Sequence, residues 1–189
     1  MSGNLSSRSM HQTIVTMCGE RPGDVTEREF ESYVAAQWRP LLRAAWLLTG
    51  DWAASEDLVQ SALTQVWAQW PRVRAAAERD AYVRRMLMNQ FLGQRRRRSS
   101  TELPSDVVPE SPTPDATAEA NRRLMLTRAL DELPARQRAA VVLRYFDDLT
   151  LEQTAAALGC TVGTAKSQTS RALAKLRSSA HLDTPLEEH

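Results

Sequence analysis

The residues of this chain with the most chemical content are cations and small polar groups set at helical spacing, and the chemistry they suit is nucleic-acid binding. From Leu149 to Arg177 the sequence reads LTLEQTAAALGCTVGTAKSQTSRALAKLR. At 100° per residue Thr164, Ser167, Gln168, Arg171, Ala174 and Lys175 share one face of its second half, with Lys166 and Arg177 on the flank. No acid lies between Val162 and Arg177. Short polar groups that reach base edges, among cations that hold phosphates, suit the major groove of duplex DNA. An ordinary helical hairpin with a solvated basic face is the alternative left open by pattern alone. A second cationic cluster spans Pro71 to Arg98, where nine arginines meet only Glu78 and Asp80, a local charge of +7. Four of them, Arg95, Arg96, Arg97 and Arg98, are consecutive. With Arg72, Arg74, Arg79, Arg84 and Arg85 nearby, they point to a polyanion more than to a solvated tail.

Nothing comparable supports catalysis. The sequence has no phosphate-binding loop and no cluster of metal-ligand spacing, and its three histidines, His11, His181 and His189, fall in expected tails. Cys18 and Cys160 define neither a disulfide framework nor a metal site. The expectation is a protein that is not an enzyme and uses no cofactor. With no signal-peptide pattern at the N-terminus and no 18-residue apolar run, it is placed in the cytoplasm with no membrane segment.

The groups above must be positioned by helices, because glycine is scarce and no apolar run alternates with period two. All-α is the expected class. Residues 1–25 read as a disordered leader. Thr26 caps a first helix whose stripe is Phe30, Tyr33, Val34, Trp38, Leu41, Leu42, Ala45 and Trp46, and Pro40 is expected to kink or interrupt it. Thr49-Gly50-Asp51 closes that helix and opens the next, Trp52 to about Trp70. There Leu58, Val59, Ala62, Leu63, Val66, Trp67 and Trp70 form the core side, while Asp57, Gln60, Ser61, Thr64 and Ala68 line the other. Trp52, Trp67 and Trp70 could stack on bases, but Trp67 and Trp70 lie on the apolar stripe and read as core.

After a loop or short helix over Pro71–Arg79, a helix runs from about Asp80 to Gly93 with Tyr82, Val83, Met86, Leu87 and Phe91 inward and Met88 and Asn89 on outer or flanking positions. The four arginines then sit just past its end. Residues 99–118 carry Pro104, Pro109, Pro112 and Pro114 among acids, and the charge from Thr101 to Glu132 is −4. That composition predicts a flexible acidic, Pro-rich linker between two small helical domains, 26–98 and 119–180, with a tail over 181–189.

In the second domain, helices on either side of Pro134 contribute Leu124, Leu126, Leu130, Leu133, Ala139, Val142, Leu143 and Phe146 to a core. Beyond them Thr150 and Gln153 form a capping box, Gly159 is a left-handed C-cap and Thr161 caps the last helix. On that helix Val162, Ala165, Thr169, Ala172, Leu173 and Leu176 are expected inside. The unit is a helix-turn-helix.

Four stretches taken together resemble a bacterial RNA polymerase sigma factor of the extracytoplasmic-function group in the sigma-70 superfamily, and within it the SigE-like actinobacterial subgroup. They are LLTGDWAASEDLVQSALTQV, AYVRRMLMNQFLGQRRRR, LPARQRAAVVLRYFDDL and GCTVGTAKSQTSRALAKLR, in the family's order on both sides of a linker. The resemblance implies that the first domain is sigma region 2 and the second region 4. It makes Asp57, Gln60 and Ser61 contacts to the clamp helices of core polymerase, with Ser61 standing where the family often has Glu. It gives the −10 element, melted and single-stranded, to Arg84, Arg85, Asn89, Arg95, Arg96, Arg97 and Arg98, with Asn89 at the pocket for a flipped base.

On the second domain the resemblance implies that Ser167, Gln168 and Arg171 read base edges of the −35 duplex while Thr164, Lys166 and Lys175 hold phosphates. The acidic linker would occupy a basic channel of the polymerase. An anti-sigma partner is typical of the group, and no appended C-terminal domain is expected. The resulting expectation is a factor that binds core polymerase and directs promoter-specific initiation. The alternative is a helix-turn-helix regulator that acts at operators without docking polymerase; an enzyme with an unseen site is a more distant rival.

Overall fold

The computed structural model describes residues 25–100 and 118–179 of the 189. The expected leader, most of the linker and the tail, with Cys18 and all three histidines, lie outside the described residues. The helices are α1 (Val25–Thr49), α2 (Trp52–Ala68), α3 (Trp70–Ala75), α4 (Arg79–Ser100), α5 (Ala118–Asp131), α6 (Ala135–Val141), a π-helical turn (Val142–Phe146), α7 (Leu151–Leu158) and α8 (Val162–Arg177). No strand occurs among the described residues. The all-α class and the helix-turn-helix are as expected.

The chain divides into two compact units, residues 1–39 and 40–189. The division falls within α1, which continues through Pro40 rather than stopping there. In the first unit Phe30 and Val34 are buried. Leu41, Leu42 and Ala45 are buried in the second, joined by Ala44, Leu47 and Leu48, which lie outside the expected stripe.

Within the second unit α2 and α3 lie against α4, α6 and α7 lie against α8, and α4 also packs on α7. Leu58, Val59, Ala62, Leu63 and Val66 of α2 are buried as their spacing requires, and Trp70 at the start of α3 is 1% exposed. Trp70 is therefore core, and Arg79 covers its ring with the guanidinium carbon 5.6 Å from the centroid. Ala139, Val142, Leu143, Ala165 and Ala172 fill the second core. Alanines at these positions let α6 and α8 approach closely.

Local chemistry explains the joints. Asp51 caps α2 by accepting from the Ala54 N–H at 2.7 Å, and Gly50 takes a positive φ of 73° where the preceding helix ends. Ser55 is fully buried because its hydroxyl bonds Thr49 Oγ1 at 2.7 Å and also reaches the Asp51 carbonyl. At α7 the capping box is complete, with the Gln153 N–H on Thr150 Oγ1 at 3.2 Å and the Thr150 N–H on Gln153 Oε1 at 2.9 Å. Such a cap stabilises by about 1 kcal/mol. Gly159 follows at φ 61° and Thr161 caps α8 through the Thr164 N–H at 3.2 Å.

The structure corrects several expectations. Helix α4 does not end at Gly93 but reaches Ser100, because glutamine and arginine are good helix formers and one glycine costs only about 1 kcal/mol. The four arginines are on the helix, not beyond it. Met88 is fully buried rather than outer, since α4 is covered by both α2 and α7. Phe146 is 44% exposed, because the π-helical turn rotates it out of the stripe that a regular helix would keep. Val162, the first residue of α8, is 41% exposed. Leu124, Leu126, Leu173 and Leu176 are half-buried.

Candidate nucleic-acid interface

Helix α8 presents Lys166, Arg171 and Lys175 to solvent, while Thr164, Ser167 and Gln168 are half-buried. Two of the short polar groups are occupied locally. Thr164 Oγ1 lies 2.9 Å from Thr161 Oγ1, and Ser167 Oγ donates to the Thr164 carbonyl at 2.9 Å. Lys175 Nζ donates to the Glu132 carbonyl at 3.2 Å, which holds it toward α5. Arg171 stands on the exposed face without such an internal tether, and the buried row Ala165, Thr169, Ala172 fixes the helix behind it.

Helix α4 carries its arginines on two faces. Arg85, Asn89 and Arg96 fall within about 40° of one another at helical spacing, and all three are exposed. Arg84 and Arg95, eleven positions apart and so also on one face, turn toward the helix-turn-helix half. Arg84 Nε comes within 3.3 Å of Asp147 Oδ2, and Arg95 Nη2 within 3.4 Å of Asp131 Oδ1. The residues grouped by sequence as one basic surface are thus split between an outward face and a face against the second half. Arg97 is exposed, and the Arg98 side chain lies outside the described residues.

Asp147 sits in a poor environment for a carboxylate. Burial raises its pKa above the ordinary value, an effect that the nearby Arg84 charge only partly offsets. The approach from Arg84 lacks hydrogen-bond alignment, so Oδ2 is left buried with no donor.

The residue that sequence reasoning missed is Arg138. Its side chain is 2% exposed, with Nη1 on the Leu48 carbonyl at 2.8 Å and Nη2 on the Asp131 carbonyl and carboxylate, each at 2.7 Å. Burial lowers its pKa and the Asp131 carboxylate works the other way. One signal was available: Arg138 shares the helix face of Val141 and Val142, where an arginine must either find buried acceptors or break the stripe. On α2, Asp57 and Gln60 are exposed and Ser61 is half-buried, so the three lie on one accessible face.

The fold is that of an all-helical protein with a helix-turn-helix and a second, arginine-rich helix, whose exposed cations suit a polyanion. Residues 34–101 match the family described as Sigma-70 region 2, and residues 123–176 match Sigma-70, region 4. The chain is 41% identical over 149 residues to RNA polymerase sigma-E factor of Streptomyces coelicolor, covering 79% of this chain and 84% of that one. It is 33% identical over 154 residues to ECF RNA polymerase sigma factor SigL of Mycobacterium tuberculosis, covering 78% and 84%. Among solved structures it resembles the sigma factor RpoE of Bartonella quintana, determined with the anti-sigma factor NepR. That match has a TM-score of 0.65 and 26% identity and covers 83% of this chain and 99% of that one. CnrH, determined with the cytosolic domain of CnrY, shares the fold at a TM-score of 0.61 and 20% identity, covering 89% and 94%. The chain belongs to the extracytoplasmic-function group of RNA polymerase sigma factors in the sigma-70 family.

Proposed function

We propose that this sigma factor, which binds core RNA polymerase and directs promoter-specific initiation, divides the work between residues 26–98 and residues 119–180. The carrying observation is the pairing of two family matches with two separate basic surfaces, α4 in region 2 and α8 in region 4. In this reading Asp57, Gln60 and Ser61 dock on the polymerase large subunit. Asn89 and the exposed Arg85 and Arg96 engage the opened −10 strand, with Arg84, Arg95, Arg97 and Arg98 supplying phosphate contacts. Arg171 and Gln168 read the −35 duplex, Ser167 does so once its hydroxyl leaves the Thr164 carbonyl, and Thr164, Lys166 and Lys175 hold phosphates.

Opening a base step costs a few kcal/mol, and cationic contacts that release counterions from single strands supply it. The protein acts as a binding subunit with no chemistry of its own, and its site of action is the cytoplasm. An anti-sigma factor is its further partner, in line with the similar RpoE, which was determined in complex with the anti-sigma factor NepR.

Run-off transcription with purified core polymerase and a pool of genomic fragments tests the assignment. Initiation from a defined subset of fragments is expected only when this chain is added. Tight, specific duplex binding by the isolated chain, with no dependence of initiation on it, would replace the assignment by an operator-binding regulator.

A further inference from the structure

A concavity of about 520 Å³ lies where the last turns of α4 meet the segment from Asp131 into α6. Arg95, Arg96, Arg136 and Arg138 line it with Asp131, against an apolar wall of Leu92, Leu133, Pro134 and Ala135. One carboxylate therefore faces four guanidinium groups, and it is already shared between Arg138 at 2.7 Å and Arg95 at 3.4 Å. Arg138 is 2% exposed and four of its five N–H groups sit on nitrogens bonded to Leu48 and Asp131, but its Nε is buried with no acceptor. A buried charged donor without a partner is costly and uncommon. The excess positive charge on the open lining, from Arg95, Arg96 and Arg136, suits an anion.

We infer that the cavity is a binding site for a small phosphorylated ligand of the nucleoside diphosphate class. Arginine forks match adjacent phosphoryl groups in shape and charge, and three positive charges in excess suit a ligand carrying two to three negative ones. The volume lies within the range of small-molecule sites, roughly 300–1,000 Å³, and far exceeds the needs of a lone phosphate. The apolar wall supplies a surface for a flat ring. Because the lining comes from both α4 and α6, an occupied site ties the −10 helix to the helix-turn-helix half. This last point rests on the function proposed above, whereas the binding site does not.

Isothermal titration calorimetry of the full chain at physiological salt, with ADP, GDP, pyrophosphate and orthophosphate as probes, tests it. One saturable site for a nucleoside diphosphate is expected, with orthophosphate far weaker. Arg136→Ala, an exposed position whose loss leaves the buried Arg138 network in place, should weaken binding by about tenfold or more. Arg177→Ala, equal in charge and away from the cavity lining, should not. No saturable heat with either nucleotide overturns the inference, as does equal weakening by Arg177→Ala, which would reduce binding to diffuse attraction. Pyrophosphate binding as tight as that of the nucleotides overturns the ligand class, as does retention of a single-stranded oligonucleotide alone. A failed run-off assay alongside positive titrations would reject the sigma-factor roles and keep the site.

Discussion

Arg138 Nη1 donates to the main-chain carbonyl of Leu48 at 2.8 Å, joining positions 90 residues apart in sequence. Leu48 is in the last turn of α1, where carbonyls have no partner within the helix, and a buried guanidinium is well suited to that negative end. The same side chain bonds Asp131 through Nη2. One arginine of region 4 thus closes a helix end of region 2 and the end of α5 together.

Replacing Arg138 by Met should lower the unfolding free energy by about 2–3 kcal/mol, since the buried Leu48 carbonyl and the part-buried Asp131 carbonyl lose a charged donor. Arg138→Lys should recover only part of this, because an ammonium cannot span acceptors set for a planar fork. Urea denaturation of the full chain measures both. Stability unchanged in Arg138→Met would show the network to be neutral.

The raised pKa of Asp147 sets a sign for pH dependence. Burial makes the folded chain hold this proton more tightly than the unfolded chain, whose pKa is near the ordinary 3.8. Stability from this group is therefore present below that value and is lost as pH rises through the folded pKa. Asp147→Asn removes the penalty, so the variant should gain on the parent as pH increases through this acid window. Urea midpoints compared from pH 3.5 upward would reveal it, and a gap that is flat with pH, or that shrinks, would contradict it.

Asp57→Ala combined with Gln60→Ala should abolish co-purification with core polymerase. Both positions are exposed, so the far-ultraviolet circular dichroism spectrum should be unchanged. Retained co-purification would remove α2 as the docking face.

Arg171→Ala should cost about 1–3 kcal/mol of discrimination at a single −35 position. Competition binding against a set of single-base promoter variants measures this. Equal weakening on every sequence would reassign Arg171 to a phosphate.

Helices and caps were readable in the sequence where signals were local. Thr150 with Gln153, Gly159, Thr161 and Asp51 each satisfy backbone groups within four residues, and all take the conformations that their types imply. Tertiary facts were less legible. The burial of Met88 depends on α7 arriving over α4, and nothing near position 88 encodes that arrival. Likewise Arg84 and Arg95 read as free cations until the fold brings Asp147 and Asp131 opposite them. The exposure of Phe146 follows from a widened turn for which residues 142–146 carry no recognised sequence mark. The sites proposed for polymerase and promoter came from resemblance to a family, because exposed polar residues on a helix look alike whether they meet water or a partner.

The widened turn also makes the chain's length here unusually forgiving. With Asp147 N–H reaching back five places to the Val142 carbonyl at 3.1 Å, excising any one residue from 142–146 would let the segment tighten to ordinary pitch. Because the widened turn holds one residue more than a regular one, everything downstream would keep nearly the same bearing around the incoming axis, whereas the same deletion in a regular helix would swing it by about 100°. A one-codon deletion here should therefore leave α8 aimed as before, and one within α6 should not.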